Sequence, residues 1–125
     1  MFASHICKHM CTYQALYHSD KSGYIVRCGE CEKIQVAYSN LVMTFERTDF
    51  DSFRNLIAKI KNGRHPMAGS PVVRSIMIPS PCQGIQLLLS YNELNEFSAM
   101  LEEADIELQS LEMIKLFDHN YPNDL

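Results

Sequence analysis

The sequence predicts a single α+β domain, and three observations predict it. β-branched and aromatic residues fill four short runs between positions 13 and 45, broken by polar turn residues. Apolar residues then recur at three-to-four spacing from Phe50 to Ile60. The same order, strands and then helix, returns over residues 72–118.

The first sheet comes from Tyr13–Tyr17, Tyr24–Arg27, Ile34–Tyr38 and Leu41–Phe45. His18-Ser-Asp-Lys-Ser-Gly23 is a polar loop ending in glycine, Gly29 sits inside the Cys28–Cys31 turn, and Ser39-Asn40 suits a two-residue hairpin. The expectation is a small antiparallel β meander within residues 5–46.

A middle helix over 49–62 follows, with Thr48 or Asp49 as N-cap and Asp51 in its first turn. Phe50, Phe53, Leu56, Ile57 and Ile60 form its apolar face, and Asn62-Gly63 ends it. Residues 64–71, with two prolines and a glycine, read as a connecting loop containing His65, a surface histidine by default.

Val72–Ile78 and Gly84–Ser90 predict a second hairpin over 72–90, joined by Pro79-Ser-Pro-Cys-Gln83. Ser90-Tyr-Asn-Glu93 fits a capping box, in which each side chain takes the other residue's backbone amide. From there Leu94, Phe97, Leu101, Ala104, Leu108 and Leu111 recur at helical spacing, so 91–118 is helical. Asp105 is also a fitting cap for a second helix, which leaves one bent helix and a helical hairpin both open.

The 125 residues, 46% hydrophobic and 21% charged, exclude a disordered or low-complexity chain. The longest apolar run, Gly84–Ser90, falls far short of the roughly 20 residues a spanning helix needs, so membrane insertion is not expected. Residues 1–10 hold two histidines, a lysine and a cysteine where a secretory leader would be apolar, which predicts a cytoplasmic, reducing location.

Net charge is −4, yet unevenly spread: residues 1–74 sum to about +4 and residues 75–125 to about −8. An acidic whole is a poor general nucleic-acid binder, although Arg27, Lys33, Arg54 and Lys61 could form a local basic face. Tyr13, Tyr17, Tyr24 and Tyr38, beside Lys21, Arg27 and Lys33, offer either a stacking surface for single strands or simply the core and rim of the sheet.

The cysteines carry the chemical signal. Five thiols in a reducing compartment argue against a disulfide framework, and the odd count suits four metal ligands with Cys82 to spare. Cys7-Lys-His-Met-Cys11 and Cys28-Gly-Glu-Cys31 are two close pairs separated by sixteen residues, the length of a hairpin out and back. Zinc takes four such ligands in a tetrahedron, and two cysteines on one tight turn present both sulfurs to one ion. The expected cofactor is a structural zinc on Cys7, Cys11, Cys28 and Cys31, with His9 as the substitute ligand and iron as the minor alternative.

On these pairs, residues 5–38 resemble zinc ribbons and rubredoxin-like knuckles. Thr12 and Glu32 stand where such knuckles usually carry Pro or Gly, and the first pair has one extra residue. From Cys7 to Phe45 the chain also resembles short uncharacterised bacterial proteins with an N-terminal paired-cysteine segment. That resemblance implies no catalytic residue.

A redox dithiol at Cys28 and Cys31 is the competing reading, but a strand instead of a helix follows the pair, and Glu30 and Glu32 oppose thiolate formation. Cys82 has no basic neighbour in sequence to activate it, and no phosphate-binding, dinucleotide or hydrolase motif occurs. The residues therefore read as a non-enzymatic binding or adaptor protein with a protein partner. A thiol- or metal-dependent oxidoreductase is the alternative, and self-association through the Leu94–Leu111 stripe is a third.

Overall fold

The computed structural model describes residues 12–63 and 70–120. Cys7, His9 and Cys11, and the connection bearing His65, lie outside the described residues. The expected α+β architecture is present. Strands β1 (Tyr13–Ser19), β2 (Gly23–Cys28), β3 (Ile34–Tyr38) and β4 (Leu41–Phe45) pair in sequence order as one antiparallel meander. Helix α1 (Arg47–Asn62), the hairpin β5 (Ile76–Pro79) and β6 (Gln86–Leu89), and helix α2 (Tyr91–Asn120) complete the order.

One core joins these parts. Ile25, Ile34, Val36, Met43 and Phe45 bury one face of the sheet against Phe50, Phe53 and Ile57 of α1 and Leu94, Phe97, Leu101 and Leu108 of α2. The hairpin adds its inner positions Ile76, Ile78, Leu87 and Leu89. Leu16 also reaches this core because β1 bulges there: Ala15 pairs with Val26 and Tyr17 with Ile25, leaving Leu16 as the extra residue. The bulge resets the alternation of β1, which no period-2 pattern announces.

The turns behave as their residues dictate. Ser39-Asn40 closes the β3–β4 hairpin directly, with Ser39 at a φ of 59° and Tyr38 opposite Leu41. Gly23 has a φ of 142°, and a Cβ there would lie 2.0 Å from the carbonyl oxygen of Ala37, so only glycine fits.

Two sequence expectations need correction, and one alternative that the sequence leaves open is decided. Helix α1 starts at Arg47 with Glu46 as its N-cap, two residues before the expected start. Glu46 makes no side-chain cap; its carboxylate accepts Lys33 Nζ instead, while Arg47 pairs with Asp51 and Glu112 from the first turn. The second hairpin is shorter than 72–90, because residues 71–75 turn back over the start of α2, with Asn92 N donating to the Pro71 carbonyl. The C-terminal helix is one continuous element of 30 residues. Asp105 is buried within it, not a cap.

The capping box is present as read. The Ser90 amide donates to Glu93 Oε1 at 2.9 Å, and the Glu93 amide donates to Ser90 Oγ at 3.1 Å.

Candidate metal centre

Strand β2 ends on Cys28, opposite Tyr13 at the start of β1. The chain then turns through five residues and enters β3 at Ile34. Gly29 N donates to the Thr12 carbonyl at 2.7 Å, Cys28 N to Lys33 O at 2.9 Å, and Glu32 N to Cys28 O at 2.8 Å. These bonds close a compact turn and tie it to the residue that precedes β1. Cys11 is the residue before Thr12 in the chain.

Within the turn, the Cys28 sulfur accepts the amides of Glu30 and Cys31, each at 3.4 Å. Backbone amides aimed at a sulfur stabilise its thiolate. Burial pushes the Cys28 thiol up, but the amides of Cys31 and Glu30 outweigh it, and the thiol lies below its ordinary value. Burial pushes Cys31 up; the Lys33 amide opposes this, while the neighbouring Cys28 adds to it.

Glu32 completes the turn in the left-handed conformation, at a φ of 64°. Glycine adopts this conformation without the cost that a side chain brings. Glu32 also reaches outward: its carboxylate accepts Lys115 Nζ of α2 at 2.7 Å, which holds that carboxyl below its ordinary value. The two described cysteines are thus tied to the far end of the C-terminal helix, a link the sequence did not reveal.

The proposed basic face is largely engaged within the molecule. Arg27 donates to Gln14 Oε1 through Nε and Nη2 at 3.1 and 2.7 Å, and Lys33 pairs with Glu46. Arg54 donates to both carboxylate oxygens of Glu102 at 3.2 and 3.3 Å and lies near Asp51 and buried Asp105. Arg74 grips Glu93 with Nε and Nη2. Arg47, Arg54 and Arg74 thus join the basic first half to acids of the second, whereas Arg27 and Lys33 find their partners within the first half.

Of the four tyrosines, Tyr38 is buried and stacks on Phe97, with ring centroids 4.6 Å apart. Its hydroxyl donates to Glu96 Oε1 at 2.8 Å, Ser22 donates to the other oxygen at 2.6 Å, and burial first, then Glu96, drives the phenol strongly upward. Tyr24 donates to Gln35, and Tyr13 is exposed. Cys82 is exposed on the rim of an open apolar cleft of about 490 Å³ between β4 and the turn of the hairpin, where Val42 and Ile85 also lie.

Among the described residues, no three His, Cys, Asp or Glu side chains converge as a metal cluster, and no helix is long and apolar enough to cross a membrane. No curated protein and no solved structure matches the chain. Residues 10–124 match the model of the family of unknown function DUF6686, a span that takes in Cys11, Cys28 and Cys31 but not Cys7. With nearly its whole length inside that match, the chain belongs to this family of unknown function.

Proposed function

We propose that this chain is a non-enzymatic binding or adaptor protein whose first sheet is pinned by a structural zinc on Cys7, Cys11, Cys28 and Cys31, with His9 as the alternative fourth ligand. One observation carries the reading: the Cys28–Cys31 turn, with two amides on the Cys28 sulfur and a left-handed residue after Cys31. The donor chemistry fits, because four thiolates suit zinc and the amides offset part of their negative charge. Zinc bound there supplies folding energy and cross-links the start of β1 to the β2–β3 turn.

A binding role follows from what is left exposed. Val42 and Ile85 in the cleft, Leu88 on the outer side of β6 and the apolar end of α2 are exposed surfaces suited to a protein partner. A nucleic-acid partner has less to recognise, since Arg27, Lys33 and Arg54 already hold internal partners.

The second reading is a dithiol oxidoreductase, favoured by the adjacency of Cys28 and Cys31. It requires an attacking thiolate open to substrate, whereas the thiol that the amides favour as thiolate, Cys28, is buried.

Elemental analysis of untagged, reductively purified protein, with a thiol count before and after denaturation, separates the two. About one zinc per chain and four protected thiols support the structural site. Five reactive thiols with no metal and an intact fold overturn it.

A further inference from the structure

The meander has two edges, and they are treated differently. At one, β1 carries the bulge at Leu16 and packs against α2. At the other, β4 reads Leu41-Val-Met-Thr-Phe45, with no bulge, no proline and no charged side chain. Exposed edges are normally blunted by such features, because unpaired amides and carbonyls recruit another strand.

The register identifies the groups left over on β4. The two-residue turn at Ser39-Asn40 makes Tyr38 and Leu41 a hydrogen-bonded pair, and antiparallel alternation gives the same status to Val36 with Met43 and Ile34 with Phe45. The amides and carbonyls of Val42 and Thr44 therefore point away from β3. β4 pairs with no second strand, and among the described residues no turn or loop backbone bonds to these groups.

Beside this edge lies the apolar cleft of about 490 Å³, lined by β4 and by Pro81, Cys82 and Ile85 of the hairpin turn. Its lining holds no charged side chain, so a charged occupant would lose hydration with nothing to replace it. A second copy fits poorly. A five-residue edge, roughly 17 Å long, is well short of the roughly 800 Å² per partner that a stable dimer buries, and each copy would bring its own hairpin turn to the same edge.

We propose that β4 is a strand-addition site: an extended, uncharged, apolar segment of a partner protein pairs with the outward amides and carbonyls of Val42 and Thr44 and lays alternate side chains into the cleft beside Pro81 and Ile85. Main-chain bonds hold the segment, and the cleft selects its side chains. This gives the partner chemistry of the binding role proposed above and rests on that role, but it does not depend on zinc.

The test is amide exchange, read residue by residue by NMR on the full-length protein, with and without capped octapeptides that alternate Thr with Val, Ile, Leu or Phe. In the free protein Val42 and Thr44 should exchange fast and Met43 slowly. Peptide at saturation should slow Val42 and Thr44 several-fold, and N-methylation of its backbone, or Asp in place of its apolar residues, should remove the effect. Thr44→Pro deletes an outward donor without touching the bonds to β3 and should abolish protection with the fold intact by circular dichroism. Val42→Lys, at an exposed position, puts a charge into the cleft and serves the same end if the proline unfolds the sheet. Slow exchange of both amides in the free protein means that the chain itself covers the edge, and slowing that grows with protein concentration makes a second copy the cover; either overturns the proposal. Failure of every peptide to protect either amide at about 1 mM overturns it too. In that event, resonance shifts confined to α2 leave the binding role standing without this site, whereas no shift anywhere counts against the binding role as well.

Discussion

Asp105 Oδ2 lies 3.7 Å from Arg54 Nη2, joining the middle of α2 to α1 through a carboxylate that is almost completely buried. Arg47 Nη2 is 3.6 Å from the other oxygen, which has no hydrogen-bond partner, and Gln109 donates to Oδ2 at 2.7 Å. A buried carboxylate is costly once its cations leave. Arg54→Met should therefore destabilise the protein by about 3 kcal/mol, and adding Asp105→Leu should recover a large part of that loss. Urea unfolding of the two variants checks this; equal instability would mean that the pair acts through Arg54 packing alone.

Removing one arm of the capping box should cost less. Ser90→Ala is expected to lose about 1 kcal/mol by thermal unfolding, with the fold unchanged.

The same box sets a pH dependence. Arg74 first, opposed by burial and aided by Ser90, holds the Glu93 carboxyl below its ordinary value of 4.5. A carboxyl whose folded pKa is depressed adds stability that is present above the unfolded value and is lost as pH falls through the folded one. Stability should thus decline in acid from about pH 4.5 downward, and Glu93→Gln should flatten that decline while lowering stability at neutral pH. An unchanged acid slope in the variant would assign the dependence to other carboxylates.

Two glycines with positive φ should respond differently to alanine. At Gly23 the new Cβ meets the Ala37 carbonyl, whereas at Gly84, with a φ of 89°, nothing lies within 4 Å. Gly84→Ala should cost about 1–2 kcal/mol from backbone strain alone. Gly23→Ala adds a backbone collision and should greatly reduce folded protein in a solubility and circular dichroism comparison.

Glu32→Gly tests the turn after Cys31. Relief of the left-handed conformation should contribute about 1 kcal/mol, more than the exposed pair with Lys115 is worth. A net loss in chemical denaturation would instead give the Lys115 link the larger role.

Much of the fold is legible because its signals are local. Ser39-Asn40 and the Ser90–Glu93 box are each decided within a few residues, and each lies where the sequence places it. What the sequence misreads or leaves open is decided by distant residues. Arg47 enters α1 because Glu112, 65 positions away, takes its guanidinium. Asp105 looks like a cap by residue type, but its partners on α1 keep it inside the helix. Half of the candidate site, the Cys28–Cys31 turn, is equally local, while its tie to Lys115 spans 83 positions and leaves no pattern in the sequence.

The strand order β1-β2-β3-β4 means that every strand lies beside its neighbour in sequence, with no crossover anywhere in the sheet. Such pairings have low loop-closure entropy and form quickly. Helix α2 is the exception, because it must return to β1 and α1 from the opposite end of the chain. This topology predicts that the kinetic barrier is the docking of α2 on a preformed meander. Substitutions within the β3–β4 turn, formed before that barrier, should slow folding, whereas those on the buried side of α2, such as Leu101→Ala, should chiefly alter how fast the protein comes apart.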